Sequence, residues 1–310
     1  MTADHTKVSR HPLPYIIILI CWVAYVALSL MSPHTPTAPS VANPARLIIR
    51  FSIFIPVLLI WVTAIRGALT FKAYAKIIHE SPEAASLGKI ANALFWLVGY
   101  IVAITLVGAV VPYFTESPIL ASILVLRDHL PAFITLIAFI QLYQGSHQLK
   151  KIADFATWSP STIWFFIGYA IFCLVFVLTF AANAGMNSAQ AINRNSSSVL
   201  PPAVLLVTLI LPYLAAWFIG LLASINIAKF SYRVKGIIYR RALKDLVFGI
   251  WSIVLFAMVL QLLTFTIRIL LGLSLVPILA LLYALLLLYA LGFMLIYSGA
   301  KKLTRIEVLE

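Results

Sequence analysis

The exit of one hydrophobic run, residues 143–152, reads YQGSHQLKKI, and the exit of the last run, residues 297–306, reads YSGAKKLTRI. Tyrosine, glycine, leucine, a basic residue and isoleucine recur in one register. Four residues upstream of each tyrosine, Phe139 and Phe293 match as well. Because a whole pattern recurs, we predict a structural unit that occurs twice in the chain.

A second pair of matches lies earlier in the chain. Pro56 and Trp61 recur as Pro212 and Trp217 at one constant offset. Proline bends a spanning helix, so we expect matching bends, with either plain packing or a central cavity between these two runs. Under the same offset three further pairs coincide, namely Leu58 with Leu214, Leu87 with Leu243, and Phe95 with Trp251.

The composition is that of a membrane protein. Of 310 residues 63% are hydrophobic and only 10% are charged, against about 25% charged in soluble domains. Several continuous apolar runs reach the length of about 20 residues that crosses a bilayer as a helix, and continuous runs exclude the alternating pattern of a β-barrel. We therefore predict an all-α integral membrane protein with eight transmembrane helices, at residues 13–31, 47–69, 90–111, 119–144, 162–182, 199–225, 246–271 and 276–297.

These eight helices divide into two four-helix repeats, residues 1–155 and 156–310. The second to fourth runs map onto the sixth to eighth, whereas the first and fifth runs match only weakly. An even number of spans per unit makes the two repeats parallel, related by an axis along the membrane normal.

The distribution of lysine and arginine predicts the orientation. With the N-terminus inside, seventeen of the 22 basic residues fall on the cytoplasmic side and five on the other. Short cytoplasmic loops carry the excess of positive charge. We therefore predict a multi-pass protein of the plasma or inner membrane with both termini in the cytoplasm.

A group of charges is expected in the outer leaflet. Arg127, Asp128 and His129 follow each other, and the repeat aligns them with residues inside the last span; Arg50 and Arg268 lie at similar depth. Charges in a membrane are costly and are usually paired or functional. We expect Asp128 to pair with an arginine and the surplus positive charge to suit an anionic ligand or lipid headgroup. The alternative is that the arginines extend from the ends of the spans to the membrane interface and that Asp128 makes one structural salt bridge.

A second candidate surface is the basic segment between the sixth and seventh runs, on the predicted cytoplasmic side. Six cations within residues 229–244 suit contact with anionic lipid or with a protein partner. The bias of positive charge toward the cytoplasm explains them equally well. The six are Lys229, Arg233, Lys235, Arg240, Arg241 and Lys244.

Several functional classes are disfavoured. The basic residues sit at helix ends, which argues against nucleic-acid binding, and the nine acidic residues avoid the predicted mid-membrane region, which argues against a carboxylate proton relay. We find no zinc motif and no phosphate-binding glycine loop, and hence expect no metal, no cofactor and no enzyme. Asn92, Gln141 and Gln261 are the main polar side chains within the runs, and we expect them to hydrogen-bond between helices.

Two functions stay open from the sequence. The scarcity of polar residues that could line a path favours a non-enzymatic module, such as a sensor, a scaffold or an accessory subunit, with an outer-leaflet ligand or lipid site. The alternative is a transporter or permease for a small anionic or zwitterionic solute, which the outer charge cluster favours.

Overall fold

The computed structural model is all-helical where it describes the chain. The described residues are 12–31, 44–79, 81–110, 113, 120–152, 166–178, 181, 204, 206–233, 236–269 and 275–306, and for several helix ends only the backbone is described. The helices are α1 (Leu13–Met31), α2 (Pro44–Ile77), α3 (Pro82–Val110), α4 (Leu120–Ile152), α5 (Phe166–Leu178), α6 (Leu211–Arg233), α7 (Ile237–Ile269) and α8 (Leu275–Ile306).

Five of the described helices are long and apolar enough to cross a membrane, which confirms the predicted membrane class. The apolar parts of α1 and α5 are shorter, at Leu13–Ser29 and Phe166–Leu178, and the first part of α4 is described by its backbone only. The count of eight spans therefore stays a prediction. The five long segments are Phe54–Ile77, Glu83–Val110, Leu211–Tyr232, Ile237–Leu260 and Tyr283–Thr304.

The helices extend beyond the predicted hydrophobic runs. Residues 71–89 and 229–245 read as polar loops, yet α2 continues to Ile77, α3 begins at Pro82 and α7 begins at Ile237. Proline is well placed at the first helical position, and a lysine in the last turn, as at Lys76 of α2, interacts favourably with the helix dipole. The basic residues of these segments therefore lie mostly on helices.

Six helices form a closed ring. Along this ring α2 packs on α3, α3 on α4, α4 on α6, α6 on α7, α7 on α8 and α8 back on α2. Helix α1 packs outside against α2 and α3, and α5 contacts α6, where the hydroxyl of Tyr169 donates to the carbonyl of Leu214. The contacts of α2 with α8 and of α4 with α6 join the two predicted repeats.

One end of the ring, called here the basic end, carries the connections from α2 to α3 and from α6 to α7. Lys76, Lys89, Lys150, Lys229 and Lys301 lie there on five different helices. In the predicted orientation the basic end faces the cytoplasm. The opposite end carries His129 of α4 and the short π-helical segment Leu206–Ile210 that precedes α6.

The glycines of the exit motif have a packing role at the basic end. A Cβ atom on Gly145 of α4 would lie 2.6 Å from the backbone oxygen of Ser86 in α3. A Cβ atom on Gly299 of α8 would likewise lie 2.6 Å from the backbone oxygen of Ala242 in α7. Only glycine allows two helix backbones to approach so closely. Ser86 and Ala242 are matched by the offset of the tryptophan pair, so matched positions make matched contacts.

The two matched tryptophans lie in the core, each covered by a peripheral helix. Trp61 and Trp217 are fully buried. Trp61 lies against Tyr25 of α1, whereas Trp217 lies against Phe172 and Phe176 of α5. The outer helices α1 and α5 thus take equivalent places against α2 and α6.

The surroundings of the two matched prolines differ, and the expected repeated bend stays a prediction. Pro56 lies inside the continuous helix α2, whereas Pro212 directly follows the π-helical segment. Proline has no N–H to offer the carbonyl four residues earlier, and before Pro212 the chain widens to π-helical spacing. Among the described residues, such a widening occurs before Pro212 of α6 and not before Pro56 of α2.

Candidate functional site at the centre of the bundle

The predicted outer charge cluster is described only in part. Arg50, Arg127, Asp128 and Arg268 lie on α2, α4 and α7, but their side chains fall outside the described part of the structure. The expected ion pair of Asp128 therefore stays a prediction. His129 is the one member of the cluster whose side chain is described.

His129 connects α4 to the π-helical segment. Its Nε2 lies 2.9 Å from the hydroxyl oxygen of Thr208, and that hydroxyl donates its own proton to the carbonyl of Val204 at 2.8 Å. Because the proton of Thr208 is already used, Nε2 of His129 is the donor in this contact. The half-buried imidazole thus holds α4, toward its end opposite the basic end, against the segment that leads into α6.

Farther from the His129 contact, toward the basic end, three tyrosines from three helices converge inside the ring. The hydroxyls of Tyr100 on α3 and Tyr213 on α6 share a hydrogen bond, and Tyr289 on α8 lies within electrostatic range of Tyr100. The ring of Tyr289 stacks on Phe256 of α7 with centroids 4.1 Å apart. Tyr100, Tyr213 and Tyr289 are called the central tyrosine site here.

Several buried side-chain polar atoms have no hydrogen-bond partner among the described residues, among them Nε1 of both matched tryptophans, Trp61 and Trp217. The indole of Trp217 stacks on Tyr213 with centroids 5.6 Å apart, and its Nε1 is unpartnered. The hydroxyl of Thr135 on α4 is also buried and unpartnered. An unsatisfied buried donor costs about 1–3 kcal/mol, so such groups call for an acceptor, which a bound ligand or water supplies.

Sequence reasoning missed the central tyrosine site because tyrosine counts as hydrophobic in composition and run length. The signal that finds it is asymmetry between the matched halves. None of the three tyrosines has a tyrosine at the matched position in the other half of the chain. The site therefore occurs once, although the surrounding helices are matched in pairs. The matched pairs are Tyr100 with Phe256, Tyr213 with Val57, and Tyr289 with Thr135.

The six predicted basic contact residues divide into separate groups at the basic end. Arg240 donates to the carbonyl of Tyr232 at 3.3 Å, and the ammonium of Lys244 lies 5.7 Å above the ring of the same tyrosine. Arg241 is exposed, and Lys229 lies on α6 within electrostatic range of Lys150 on α4. The side chains of Arg233 and Lys235 lie outside the described residues. Contact of this surface with lipid or protein stays a prediction.

One ion pair fastens α7 to α8 at the same end. Lys302 donates to a carboxylate oxygen of Asp245, and the hydroxyl of Ser298 donates to the same oxygen at 3.1 Å. The matched positions in the other half hold Lys89 and Gln148, so this pair also occurs on one side only.

No protein-family model, no curated protein and no solved structure matches this chain. The geometry of the bundle alone therefore carries the assignment of function.

Proposed function

We propose that this integral membrane protein is a non-enzymatic module that binds a small ligand at the central tyrosine site, as a sensor or a ligand-responsive accessory subunit does. The observation that carries the proposal is the convergence of Tyr100, Tyr213 and Tyr289 from three helices in the ring. Residues from several helices meeting in a bundle core are a usual way to build a ligand site.

The chemistry of the site favours a small molecule with hydrogen-bond acceptors. Trp217, which stacks on Tyr213, offers an unpartnered N–H, and the rings of Tyr289 and Phe256 supply apolar walls. An anionic or zwitterionic ligand would direct its charge toward the arginines predicted at the His129 end. The ligand would then enter past the contact between His129 and Thr208.

Tight packing at the basic end supports a protein that binds its ligand without transporting it across the membrane. Gly145 and Gly299 bring α4 against α3 and α8 against α7 at backbone contact, and Leu149 and Leu303 one turn farther along are fully buried. A solute could pass between α3 and α4, or between α7 and α8, at this end only if those helices separated. If the site is entered from the His129 end, as we propose, a closed basic end suits a receptor better than a channel.

A transporter is the second candidate, favoured by the position of the π-helical segment. Segments of this kind are frequent at functional sites, and here Leu206–Ile210 carries the His129 contact at Thr208 and ends three residues before Tyr213. Rocking of one predicted repeat against the other along the α2–α8 and α4–α6 contacts would open the basic end in alternation.

We further propose that residues 1–155 and 156–310 are duplicated units. The matched contacts of Gly145 with Ser86 and of Gly299 with Ala242 support this proposal. The covering of Trp61 by α1 and of Trp217 by α5 supports it as well.

A thermal-stability screen in lipid nanodiscs tests ligand binding. The probes are organic anions, zwitterions and neutral polar solutes, and a ligand at a hundredfold excess over its Kd stabilises the folded protein by about 2.7 kcal/mol. Tyr100→Phe and Tyr213→Phe are expected to abolish the stabilisation by a true ligand. Tyr113→Phe is the control, because that hydroxyl donates to the carbonyl of Leu28 outside the ring. A stabilising ligand that is indifferent to both site variants, or no stabilising ligand at all, contradicts the proposal.

A further inference from the structure

A cleft of about 230 Å³ lies on the outer surface of the ring, between α3 and α4. It is lined by Asn92, Phe95 and Trp96 of α3 and by Gln141 of α4. Asn92 follows the start of α3 by ten residues and Gln141 precedes the end of α4 by eleven. Both amides therefore lie about 15 Å along their helices from the basic end. Side chains at this depth that face outward, as Asn92 and Trp96 do, meet lipid.

The carbonyl oxygen of the Gln141 amide is unsatisfied in the part of the chain that the structure describes. Its Oε1 is buried and accepts no hydrogen bond among the described residues. The expectation that Gln141 and Asn92 serve helix–helix hydrogen bonding is therefore not met for this acceptor. A buried carbonyl in an apolar setting is costly to leave unpaired, so a donor that enters the cleft would gain the full bond.

A cation lies over one of the residues that line the cleft. The ammonium of Lys72 on α2 lies 5.5 Å above the ring of Phe95, and its side chain is exposed. No carboxylate of the described residues pairs with it. Lys76 lies one helical turn closer to the basic end on the same helix. The two lysines thus place two positive charges along α2, from the basic end toward Phe95.

We propose that the α3–α4 cleft binds the headgroup of an anionic phospholipid that carries free hydroxyls, of the phosphatidylglycerol type. The phosphate pairs with Lys72, and the amide of Asn92 donates to a lipid oxygen. The side chain of Gln141, whose Oε1 is buried in the structure, turns toward the cleft so that Oε1 accepts a hydrogen bond from a headgroup hydroxyl. The acyl chains lie along the exposed face of Trp96, which is a favourable place for an amphipathic ring. This site is separate from the central tyrosine site, which lies inside the ring.

The second half of the chain lacks this set of polar groups. At the positions matched to Lys72, Asn92 and Gln141 it carries Ala228, Phe248 and Leu295. The groove between α7 and α8 is therefore an internal comparison, since its matched positions carry no ammonium and no amide to hold a headgroup. We expect one such lipid for each chain.

The test compares lipids and variants in nanodiscs of phosphatidylcholine doped with one second lipid. Thermal unfolding of the full chain is followed as phosphatidylglycerol is titrated, with phosphatidylethanolamine and further phosphatidylcholine as parallel titrations. We expect saturable stabilisation by phosphatidylglycerol alone. Lys72→Ala and Gln141→Leu, the residues of the matched half, are each expected to weaken the apparent affinity at least tenfold. Gln141→Leu can raise the basal stability because it removes an unpaired acceptor, so lipid dependence and basal stability are read separately.

Two controls exclude simpler explanations. Lys244→Ala removes another lysine that lies over an aromatic ring, that of Tyr232, and that is not part of the proposed site, so it should leave the apparent affinity within twofold. Soluble glycerol 3-phosphate added to pure phosphatidylcholine discs should give no stabilisation. The proposal is overturned if Lys72→Ala and Gln141→Leu keep the phosphatidylglycerol response, if Lys244→Ala weakens it as much as Lys72→Ala does, or if the soluble phosphate reproduces it.

Discussion

Gly145 and Gly299 stand at backbone contacts where no side-chain atom fits, while Gly99 and Gly108 on α3 have open space at the place of a Cβ. Replacing these four glycines by alanine distinguishes the effect of packing from the effect of helix propensity. Alanine is the better helix former by about 1 kcal/mol at an open site, whereas overpacking a tight contact costs about 1–3 kcal/mol. The recurring glycine in the exit motif is thus explained by steric demand.

We therefore expect Gly145→Ala and Gly299→Ala each to destabilise the protein by about 2 kcal/mol. The physical reason is the distance of 2.6 Å between the new Cβ and a neighbouring carbonyl oxygen. Gly99→Ala and Gly108→Ala should be neutral or slightly stabilising. Thermal unfolding in nanodiscs measures all four, and equal stability of Gly145→Ala and Gly99→Ala would contradict the packing role.

The hydroxyl pair of Tyr100 and Tyr213 gives a second prediction for single residues. Each change to phenylalanine removes one hydrogen-bonding partner and little volume, and we expect a loss of about 1 kcal/mol for either variant. The double variant should lose little more than the single variants, because the second change removes no further bond. Additive losses in this double-mutant cycle would show that the two hydroxyls act independently.

At the scale of helices, hydropathy predicts which segments cross the membrane but not where a helix ends. The polar residues around Lys76 and Arg240 continue helices past the apolar runs, because a helix end outside the lipid needs only water, a cap or a favourable dipole contact. Likewise, the pairing of α2 with α8 and of α4 with α6 depends on side-chain packing between distant parts of the chain. The exit motif and the tryptophan match are visible in the sequence. The tyrosine hydroxyls that meet between helices could not be predicted from it.

The ion pair between α7 and α8 is expected to be weak. The side chain of Lys302 is 40% exposed and that of Asp245 is 20% exposed, so solvent screens the attraction. A double-mutant cycle of Asp245→Asn and Lys302→Gln should give a coupling energy below about 1 kcal/mol that shrinks further in high salt. A coupling of several kcal/mol that persists in high salt would mean that this pair, and not the contact of Gly299, holds the basic end together.

At the scale of the molecule, the ring places most described cations at one end, and the predicted topology places that end in the cytoplasm. Eight spans require both termini on the same side as the basic end. Reporter fusions at residue 1, at residue 310 and within residues 183–198 measure this directly. We expect the first two in the cytoplasm and the third outside; termini on opposite sides would contradict the even span count and with it the parallel repeats.

The central claim is that the inner site is reached from the His129 end while the basic end stays closed. The most direct test is labelling by a membrane-impermeant thiol reagent, in a protein whose native thiols are removed by Cys21→Ala and Cys173→Ala. Thr208→Cys reports on the proposed approach to the site, and Ser146→Cys reports on the fully buried α4–α6 contact at the basic end. We predict that Thr208→Cys reacts only from the side opposite the basic end and that Ser146→Cys reacts from neither side. Rapid reaction of Ser146→Cys from the basic end, or no reaction of Thr208→Cys from either side, would contradict the claim.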